Sequence, residues 1–274
     1  MASILSEAKS LVERGTKELL IISQDTSAYG LDLKFEETLV NGKKHKTNIY
    51  NLVNELASLG IWVRLHYIYP YPHVKQLIPL MDQNRVLPYL DVPFQHAHPD
   101  VLKRMARPSN NVHDLEQISE WRSINPDLSI RSTFIVGFPG ETESEFNFLL
   151  DWLEEAKIDR VGCFKYEDVS GARSNAMEGH LHDDIIQDRY DRFMSRAQQL
   201  SELKLKEKIG KKFTCVIDSV GEGHLICRSI FDAPEIDGIV SVPNKQRHYR
   251  VGEHVTVKIK GSSEYDLEGE LLIS

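Results

Sequence analysis

Polar residues that could hold a ligand follow a short apolar run near the start of this sequence. The segment Gln24–Gly30 offers amide, carboxylate and hydroxyl oxygens that can accept from an ammonium group, and backbone N–H groups that can donate to a carboxylate. The same residue types also make a plain turn. We predict that Gln24, Asp25, Thr26 and Tyr29 contact the amino-acid end of a ligand, with the plain turn as the alternative.

A second polar segment, Phe94–His98, combines an amide with two histidines. Gln95 can hold a hydroxyl or a carboxylate, because its side chain both donates and accepts hydrogen bonds. We expect His96 and His98 to have no carboxylate or cysteine partner close by, so no metal site is predicted. A hydrogen-bonded loop histidine is expected instead.

Gly137 and Gly140 flank a Phe-Pro pair in a third segment. Small residues at these positions would let the backbone approach a flat ligand, and we predict ligand contacts at both. Thr142 and Glu145 form a capping-box pattern, which also explains the segment as a turn into a helix. Both interpretations are compatible.

The loop Tyr69–His73 contains two prolines that make it stiff. Tyr69, Tyr71 and His73 are predicted to form a wall for a polypeptide substrate, because aromatic side chains anchor partners at a low entropic cost. A packed loop without a binding role is the alternative. Arg107 is assigned to the same substrate site, and Arg104 is expected to face the cofactor or the substrate, with a solvated helix end as the alternative for both. No residue is assigned a catalytic role.

The three cysteines, Cys163, Cys215 and Cys227, stand far apart in the sequence. Their spacing is neither a disulfide framework nor a cysteine metal motif. We expect three buried free thiols in a reducing compartment.

The net charge of −8 over 274 residues argues against purely electrostatic binding of nucleic acid. Residues 206–274 carry 10 Lys and Arg against 11 Asp and Glu, so their composition is compatible with a local basic patch. No apolar run approaches the roughly 18 residues of a membrane helix, and the first residues lack a signal-peptide pattern. We expect a cytoplasmic monomer that does not bind membranes.

Helix-like and strand-like segments alternate over the first two thirds of the chain. Five predicted strands, each followed by a helix, indicate a parallel α/β layer or part of a β/α barrel. These strands are residues 18–23, 62–68, 89–93, 129–137 and 160–166. A polar insertion after the first strand reaches Thr47, which we predict to cap the helix that runs to Gly60. The polar segments described above follow these strands, so they should meet at the carboxyl edge of one sheet.

A long predicted helix from His182 to about Gly210 comes before a change to strand-like alternation. The segments 213–217, 224–229, 255–259 and 265–272 predict a small antiparallel barrel. We place the domain boundary near residue 206, which gives units of residues 1–205 and 206–274.

Five motifs occur in the order found in a known family. They are Gln24-Asp-Thr-Ser-Ala-Tyr-Gly30, Arg64-Leu-His-Tyr-Ile-Tyr-Pro-Tyr-Pro-His73, Gln95-His96 with Leu102-Lys-Arg-Met-Ala-Arg-Pro108, Phe134-Ile-Val-Gly-Phe-Pro-Gly-Glu141 and Asp232-Ala-Pro-Glu-Ile-Asp-Gly238. From about Ile4 onward, the sequence resembles the RimO-type branch of the radical S-adenosylmethionine (SAM) methylthiotransferases. The resemblance implies an α/β fold, a partial radical SAM (β/α)6 barrel without its first strand, and a small all-β TRAM barrel.

The resemblance also implies an activity. In the intact enzyme, a reduced 4Fe–4S cluster would cleave SAM, and the resulting radical would remove hydrogen from the β-carbon of an aspartate. That aspartate belongs to a small-subunit ribosomal protein, and a methylthio group would be attached to it. Thr133 joins the cofactor-binding set because the family's adenine site includes its strand. Tyr166, on the last predicted strand, is expected to point into the same mouth and to contact adenine, with core packing as the alternative. Ribosomal RNA is a further partner that the TRAM barrel could contact.

The family's C-x-x-x-C-x-x-C loop, which binds the cluster, has no counterpart among these residues. We therefore expect a C-terminal fragment that does not turn over alone. Two alternatives stay open: a transfer RNA adenosine methylthiotransferase, and a non-catalytic ribosome-binding fragment. The acidic net charge and the Tyr-Pro-Tyr-Pro loop favour a protein substrate.

Overall fold

In the computed structural model of the chain, residues 1–40, 42–83, 85–107, 111–244 and 248–272 are described. Helices and strands alternate up to residue 206. They are α1 (Ala2–Glu13), β1 (Glu18–Ile21), β2 (Glu37–Val40), β3 (Lys43–Lys46), α2 (Ile49–Ala57), β4 (Trp62–Leu65), α3 (Ile78–Asp82), β5 (Tyr89–Asp91), α4 (Pro99–Arg104), α5 (Asn111–Ile124), β6 (Ser129–Val136), α6 (Glu143–Ala156), β7 (Arg160–Lys165) and α7 (Asp183–Lys206). Short 3-10 helices span Thr26–Ala28, Pro72–Leu77 and Arg173–Ala176. Within these described residues, no helix is long and apolar enough to cross a membrane.

Five strands form one parallel sheet in the order β1-β4-β5-β6-β7, which confirms the predicted α/β layer. Leu65, Leu90 and Ile130 lie side by side in the register and pack into the main hydrophobic core beneath the helices. Because side chains alternate along a strand, the residues that directly follow these three on their own strands point to the opposite face of the sheet. That face carries polar side chains, including His66, Asp91 and Arg131.

One helix start predicted from the sequence is confirmed, and two other predictions need correction. The capping box of Thr142 and Glu145 is present at the start of α6. Helix α2, however, is capped by Asn48, whose side chain accepts from the Asn51 N–H, and not by Thr47. The insertion before it was predicted only as polar, but it contains the antiparallel β2–β3 hairpin.

The carboxy-terminal strands form a closed five-stranded barrel. They are β8 (Lys212–Val220), β9 (His224–Ser229), β10 (Val240–Pro243), β11 (His254–Ser262) and β12 (Leu267–Leu271), in the barrel order β10-β12-β11-β8-β9. The expectation of a purely antiparallel barrel was wrong, because β10 was missed and pairs in parallel with β12. An odd number of strands cannot alternate direction around a closed ring. Helix α7 ends before β8, and the boundary near residue 206 stays a prediction.

The segment between β9 and β10 packs against the amino ends of the parallel strands. Arg160 forms a buried salt bridge with Asp232, and the Tyr89 hydroxyl donates to Asp237 over 2.8 Å. The Ser129 hydroxyl donates to the Phe231 carbonyl over 3.2 Å. These contacts join the barrel to the edge of the sheet opposite to the predicted ligand segments.

Candidate functional site

The carboxyl ends of the parallel strands bring several predicted ligand residues together, and we call this region the mouth. The Gln95 N–H donates to the Thr133 carbonyl over 3.0 Å, which makes these two residues neighbours. The Tyr166 N–H donates to the Val136 carbonyl, and the Tyr166 ring lies 5.3 Å from the Phe138 ring. Gln95, Thr133 and Tyr166 therefore line one side of the mouth: Gln95 follows β5, Thr133 lies on β6, and Tyr166 directly follows β7.

Two residues at the mouth have a strained backbone. Tyr67 and Gln95 follow adjacent strands and have φ angles of 52° and 69°. This left-handed conformation costs a residue with a Cβ about 1–3 kcal/mol and is concentrated at functional sites. No sequence signal marks the left-handed conformation of Tyr67.

Apolar side chains are exposed at the two edge strands of the mouth. Ile22, directly after β1, is 58% exposed, and Phe164 on β7 is 65% exposed. Large apolar groups left open beside polar ones are typical of ligand-binding surfaces. Exposed apolar side chains beside polar ones suit a ligand that has a flat ring and a polar sugar.

A polar cluster of three side chains lies below the mouth on the same face of the sheet. Asp91 accepts from Arg131 Nη1 over 2.9 Å, and its other oxygen lies 3.5 Å from His66 Nδ1. Burial alone would raise the pKa of Asp91, but the hydrogen bond from His66 and the charge of Arg131 hold it below its ordinary value. Sequence reasoning missed this cluster, although an acidic residue inside an apolar strand was a usable signal.

The turn Gly137–Glu141 is held from within the protein. The buried Glu141 carboxylate accepts from the backbone N–H groups of Gly137 and Phe138. A Cβ on Gly137 would lie 2.7 Å from the Ile186 side chain, so helix α7 requires this glycine. The Gly140 N–H donates to the Gly179 carbonyl. The predicted ligand contacts at Gly137 and Gly140 stay predictions, because close packing against Ile186 already explains Gly137 and a positive φ of 75° explains Gly140.

His96 is the hydrogen-bonded loop histidine expected from the sequence. Its Nδ1 accepts from the His98 N–H over 2.9 Å, so Nε2 carries the proton and faces Glu141 Oε1 at 3.8 Å. Burial lowers the pKa of His96, and the Glu141 carboxylate opposes that shift only in part. The Glu141 carbonyl also accepts from Arg189 on α7, so this cluster connects two strand-end loops to a helix.

The expectation that the two loop histidines lack carboxylate partners was wrong. His98 Nδ1 lies 4.0 Å from Asp100 and 3.8 Å from Glu145, which α6 brings to this point. These three side chains are close enough to share a cation. Glu145, however, already accepts from Arg104 over 2.9 Å and caps α6, so its charge is neutralised. Arg104, proposed to face a ligand or solvent, is thus held in an ion pair.

The loop after β1 uses most of its polar atoms internally. Asp25 accepts from the Ser27 hydroxyl, the Ala28 N–H and the Tyr71 hydroxyl. The buried Thr26 hydroxyl accepts from the Ser23 N–H over 3.0 Å. Gln24 is exposed beside them. Tyr29 lines two cavities next to α2, one of them together with Ile22, Ser23 and Thr26, and its predicted ligand contact stays a prediction.

The four residues predicted to bind a substrate form one continuous row, which we call the aromatic ladder. Arg107 Nη1 donates to the Tyr69 hydroxyl over 2.8 Å. The rings of Tyr69 and Tyr71 stack at 6.3 Å, and those of Tyr71 and His73 at 5.5 Å. His73 Nε2 donates to the Ser27 carbonyl, which fixes the end of the row.

The cysteines do not form a cluster-binding set. Cys163 lies on β7, whereas Cys215 and Cys227 lie in the core of the barrel. Cys163 is only half-buried, so the expectation of three buried thiols holds for two of them. Burial raises the pKa of Cys227 to about 12, which keeps it a neutral thiol. The residues of this chain therefore do not fit a 4Fe–4S cluster, which needs convergent thiolates.

Comparison with known proteins agrees with this geometry. A profile of the radical SAM superfamily matches residues 1–153, and a TRAM domain profile matches residues 209–272. The chain is 54% identical over 269 residues to "Ribosomal protein uS12 methylthiotransferase RimO" of Roseobacter denitrificans, covering 98% of this chain and 58% of the relative. It is 55% identical to the protein of the same name from Rhodopseudomonas palustris, covering 98% of this chain and 60% of the relative. The chain thus spans somewhat more than half of these relatives' length.

A solved structure with the same fold is coproporphyrinogen III oxidase (HemN) from Escherichia coli, described as a radical SAM enzyme. It has a TM-score of 0.50 and 13% identity, covering 73% of this chain and 46% of that chain. At this identity, the likeness supports the fold alone.

Proposed function

The chain belongs to the radical SAM superfamily, in its RimO-type methylthiotransferase branch, and from this premise we propose an activity for the whole enzyme. The enzyme attaches a methylthio group to the β-carbon of an aspartate in ribosomal protein uS12. This chain contributes the mouth and the aromatic ladder. The observation that carries the proposal is that Gln95, Thr133 and Tyr166 line one mouth, and that the residues of the ladder also lie together.

We propose that the mouth holds the adenosyl part of SAM. Gln95 and Thr133 offer hydrogen-bonding groups for the ribose, and Tyr166 and the exposed Phe164 offer flat apolar surface for the adenine. We propose that Gln24, which is exposed, meets the amino-acid end of the ligand. When bound, SAM supplies the methyl group of the reaction and the source of the radical. Asp25 and Thr26 support this site by shaping the loop.

The cluster that the family uses does not fit the residues of this chain, so no step of the reaction is assigned to a cluster here. Two of the thiols are buried in the barrel core and one lies on β7. This arrangement favours a second candidate function for the chain alone, namely a binding unit without turnover. The aromatic ladder would then still hold uS12.

The barrel of residues 206–274 is proposed to dock the chain onto its ribosomal partner, protein or RNA. The total charge of residues 206–274 is nearly balanced, which favours contact with a protein over purely electrostatic binding of RNA. We propose residues 1–205 as the catalytic unit, and we propose that the enzyme is a cytoplasmic monomer.

Binding of SAM to the chain tests the proposed mouth. Titration calorimetry should detect binding, and Gln95→Ala and Thr133→Val should each weaken it by about ten-fold, as expected for the loss of a ligand hydrogen bond. The exposed Asp100→Ala should leave binding unchanged. Anaerobic iron and sulfide reconstitution should leave the chain colourless. Equal affinities for all variants, or an iron–sulfur chromophore, would contradict the proposal.

A further inference from the structure

A cavity lies between the β2–β3 insertion and the end of the aromatic ladder. It has a volume of about 320 Å³, near the lower limit of the roughly 300–1,000 Å³ typical of ligand pockets. The aromatic residues Tyr29, Phe35 and Tyr50 line it. His73 and Lys46 supply polar groups at its edge. The cavity is therefore an aromatic pocket with a cation beside it.

The pocket keeps its aromatic rings open to solvent. Phe35 is 41% exposed and Tyr50 is 37% exposed. Leaving this apolar ring surface in water costs free energy that burial against a partner would recover. Phe35 also has a φ angle of 57°, directly after Lys34 with 48°. Two successive left-handed residues with a Cβ cost free energy, and this cost is typical of sites that present a side chain for binding.

Lys46 has no carboxylate partner in the described part of the chain. The neighbouring residues do, because Lys44 pairs with Glu37, and His45 lies 3.8 Å from Glu55. The ammonium group of Lys46 is thus available beside an apolar pocket. A polypeptide with an apolar side chain close to a carboxylate complements both features.

His73 connects the pocket to the aromatic ladder. Its ring stacks on Tyr71, its Nε2 donates to the Ser27 carbonyl, and it also lines the cavity. The ladder and the pocket are therefore one continuous surface. The insertion at residues 31–47 carries four lysines against three acidic residues, so it lacks the excess of positive charge that RNA binding requires.

We propose that this pocket anchors an apolar side chain of the substrate polypeptide while Lys46 pairs with a carboxylate of the same polypeptide. The inference rests on the proposed function, and it adds a second contact region that fixes the position of the target loop. An anchor outside the mouth limits the ways in which the target aspartate can be presented.

The test uses the full chain and recombinant uS12 as the probe, with binding measured by fluorescence anisotropy. Phe35→Ala, Tyr50→Ala and the cavity-filling Gln76→Trp should each weaken binding by about ten-fold or more, as expected for aromatic anchors. Lys46→Glu should weaken binding more than the matched control Lys43→Glu on the same hairpin. Leu203→Ala, an exposed apolar truncation on α7, should bind as the wild type does. Thermal melts show that each variant is folded.

Each outcome decides the proposal. If the pocket variants bind uS12 normally while Arg107→Ala weakens binding, the pocket is not the anchor, although the proposed function stands. If the wild-type chain does not bind uS12, the proposed substrate is wrong, and this inference is overturned with it. If the pocket variants lose small-subunit ribosomal RNA instead of uS12, a polypeptide occupant is excluded.

Discussion

The Tyr71 hydroxyl donates a hydrogen bond of 2.8 Å to the Asp25 carboxylate and joins two loops that are 46 residues apart in the sequence. One loop was predicted to bind a cofactor and the other to bind a substrate. This hydrogen bond, together with burial, raises the pKa of Tyr71. The two loops are thus one structural unit, and the effect of a substitution at Tyr71 on stability should depend on the residue at position 25.

A double-mutant cycle with Tyr71→Phe and Asp25→Asn measures this connection. We expect a coupling free energy of about 0.5–1.5 kcal/mol in urea unfolding, the usual net value of such a hydrogen bond. Additive effects of the two substitutions would show that the bond does not contribute to stability.

Gly137→Ala should destabilise the protein by about 2 kcal/mol or more. The backbone of residue 137 has a φ of 81°, which is unfavourable for a residue with a Cβ. The new Cβ would also lie 2.7 Å from the Ile186 side chain. Gly15→Ala is the matched control, because its φ is also positive but nothing lies within 4 Å. Adding Ile186→Ala to Gly137→Ala should remove the steric part of the cost. Equal unfolding free energies for the two alanine variants would refute this explanation.

Arg160→Met should cost about 3–5 kcal/mol, because it leaves Asp232 buried without its partner. The exposed pair of Arg196 with Glu154 provides the control, and Arg196→Met should cost less than about 1 kcal/mol. Chemical denaturation gives both values. A small effect of Arg160→Met would mean that water or a rearranged neighbour solvates Asp232.

The same salt bridge should depend on pH. Burial alone would raise the pKa of Asp232, but the charge of Arg160 holds it below its ordinary value. The stability that Asp232 contributes is therefore present above about pH 4 and is lost as the pH falls further. An Asp232→Asn variant should lack this dependence. Parallel pH profiles of the wild type and the variant would contradict the assignment.

His96 should make stability fall in mildly acidic solution. Its folded-state pKa is lower than the ordinary value of about 6.5, so the unfolded chain binds the proton more readily. Unfolding free energy should be highest above that pH and should decline below it, by up to about 1.4 kcal/mol per pH unit. His96→Asn keeps an acceptor for the His98 N–H and should not show this decline. A decline of the same size in the variant would assign it to other groups.

Local rules of sequence predicted much of the framework. Thr142 and Glu145 lie three residues apart, so their capping box depends only on the chain around them. The five strands were predicted because their apolar runs are short and are bounded by polar turns. The aromatic ladder was predicted as a wall, although its stacking order required the folded loop.

Other parts of the site depend on residues that only the fold brings together. Glu145 reaches His98 because α6 packs beside α4, and Gly137 meets Ile186 because α7 crosses the turn. The left-handed backbone of Tyr67 arises where its N–H donates to Asp91, 24 residues further along the chain. No rule based on local sequence spacing predicts these contacts.

The central claim is that the enzyme to which this chain belongs modifies an aspartate of uS12. Mass spectrometry of uS12 from cells with and without the gene that encodes the chain tests it directly. We predict that the aspartate-containing peptide loses the mass of one methylthio group when the gene is deleted and regains it when the gene is restored. An unchanged, fully modified peptide in the deleted cells would contradict the account.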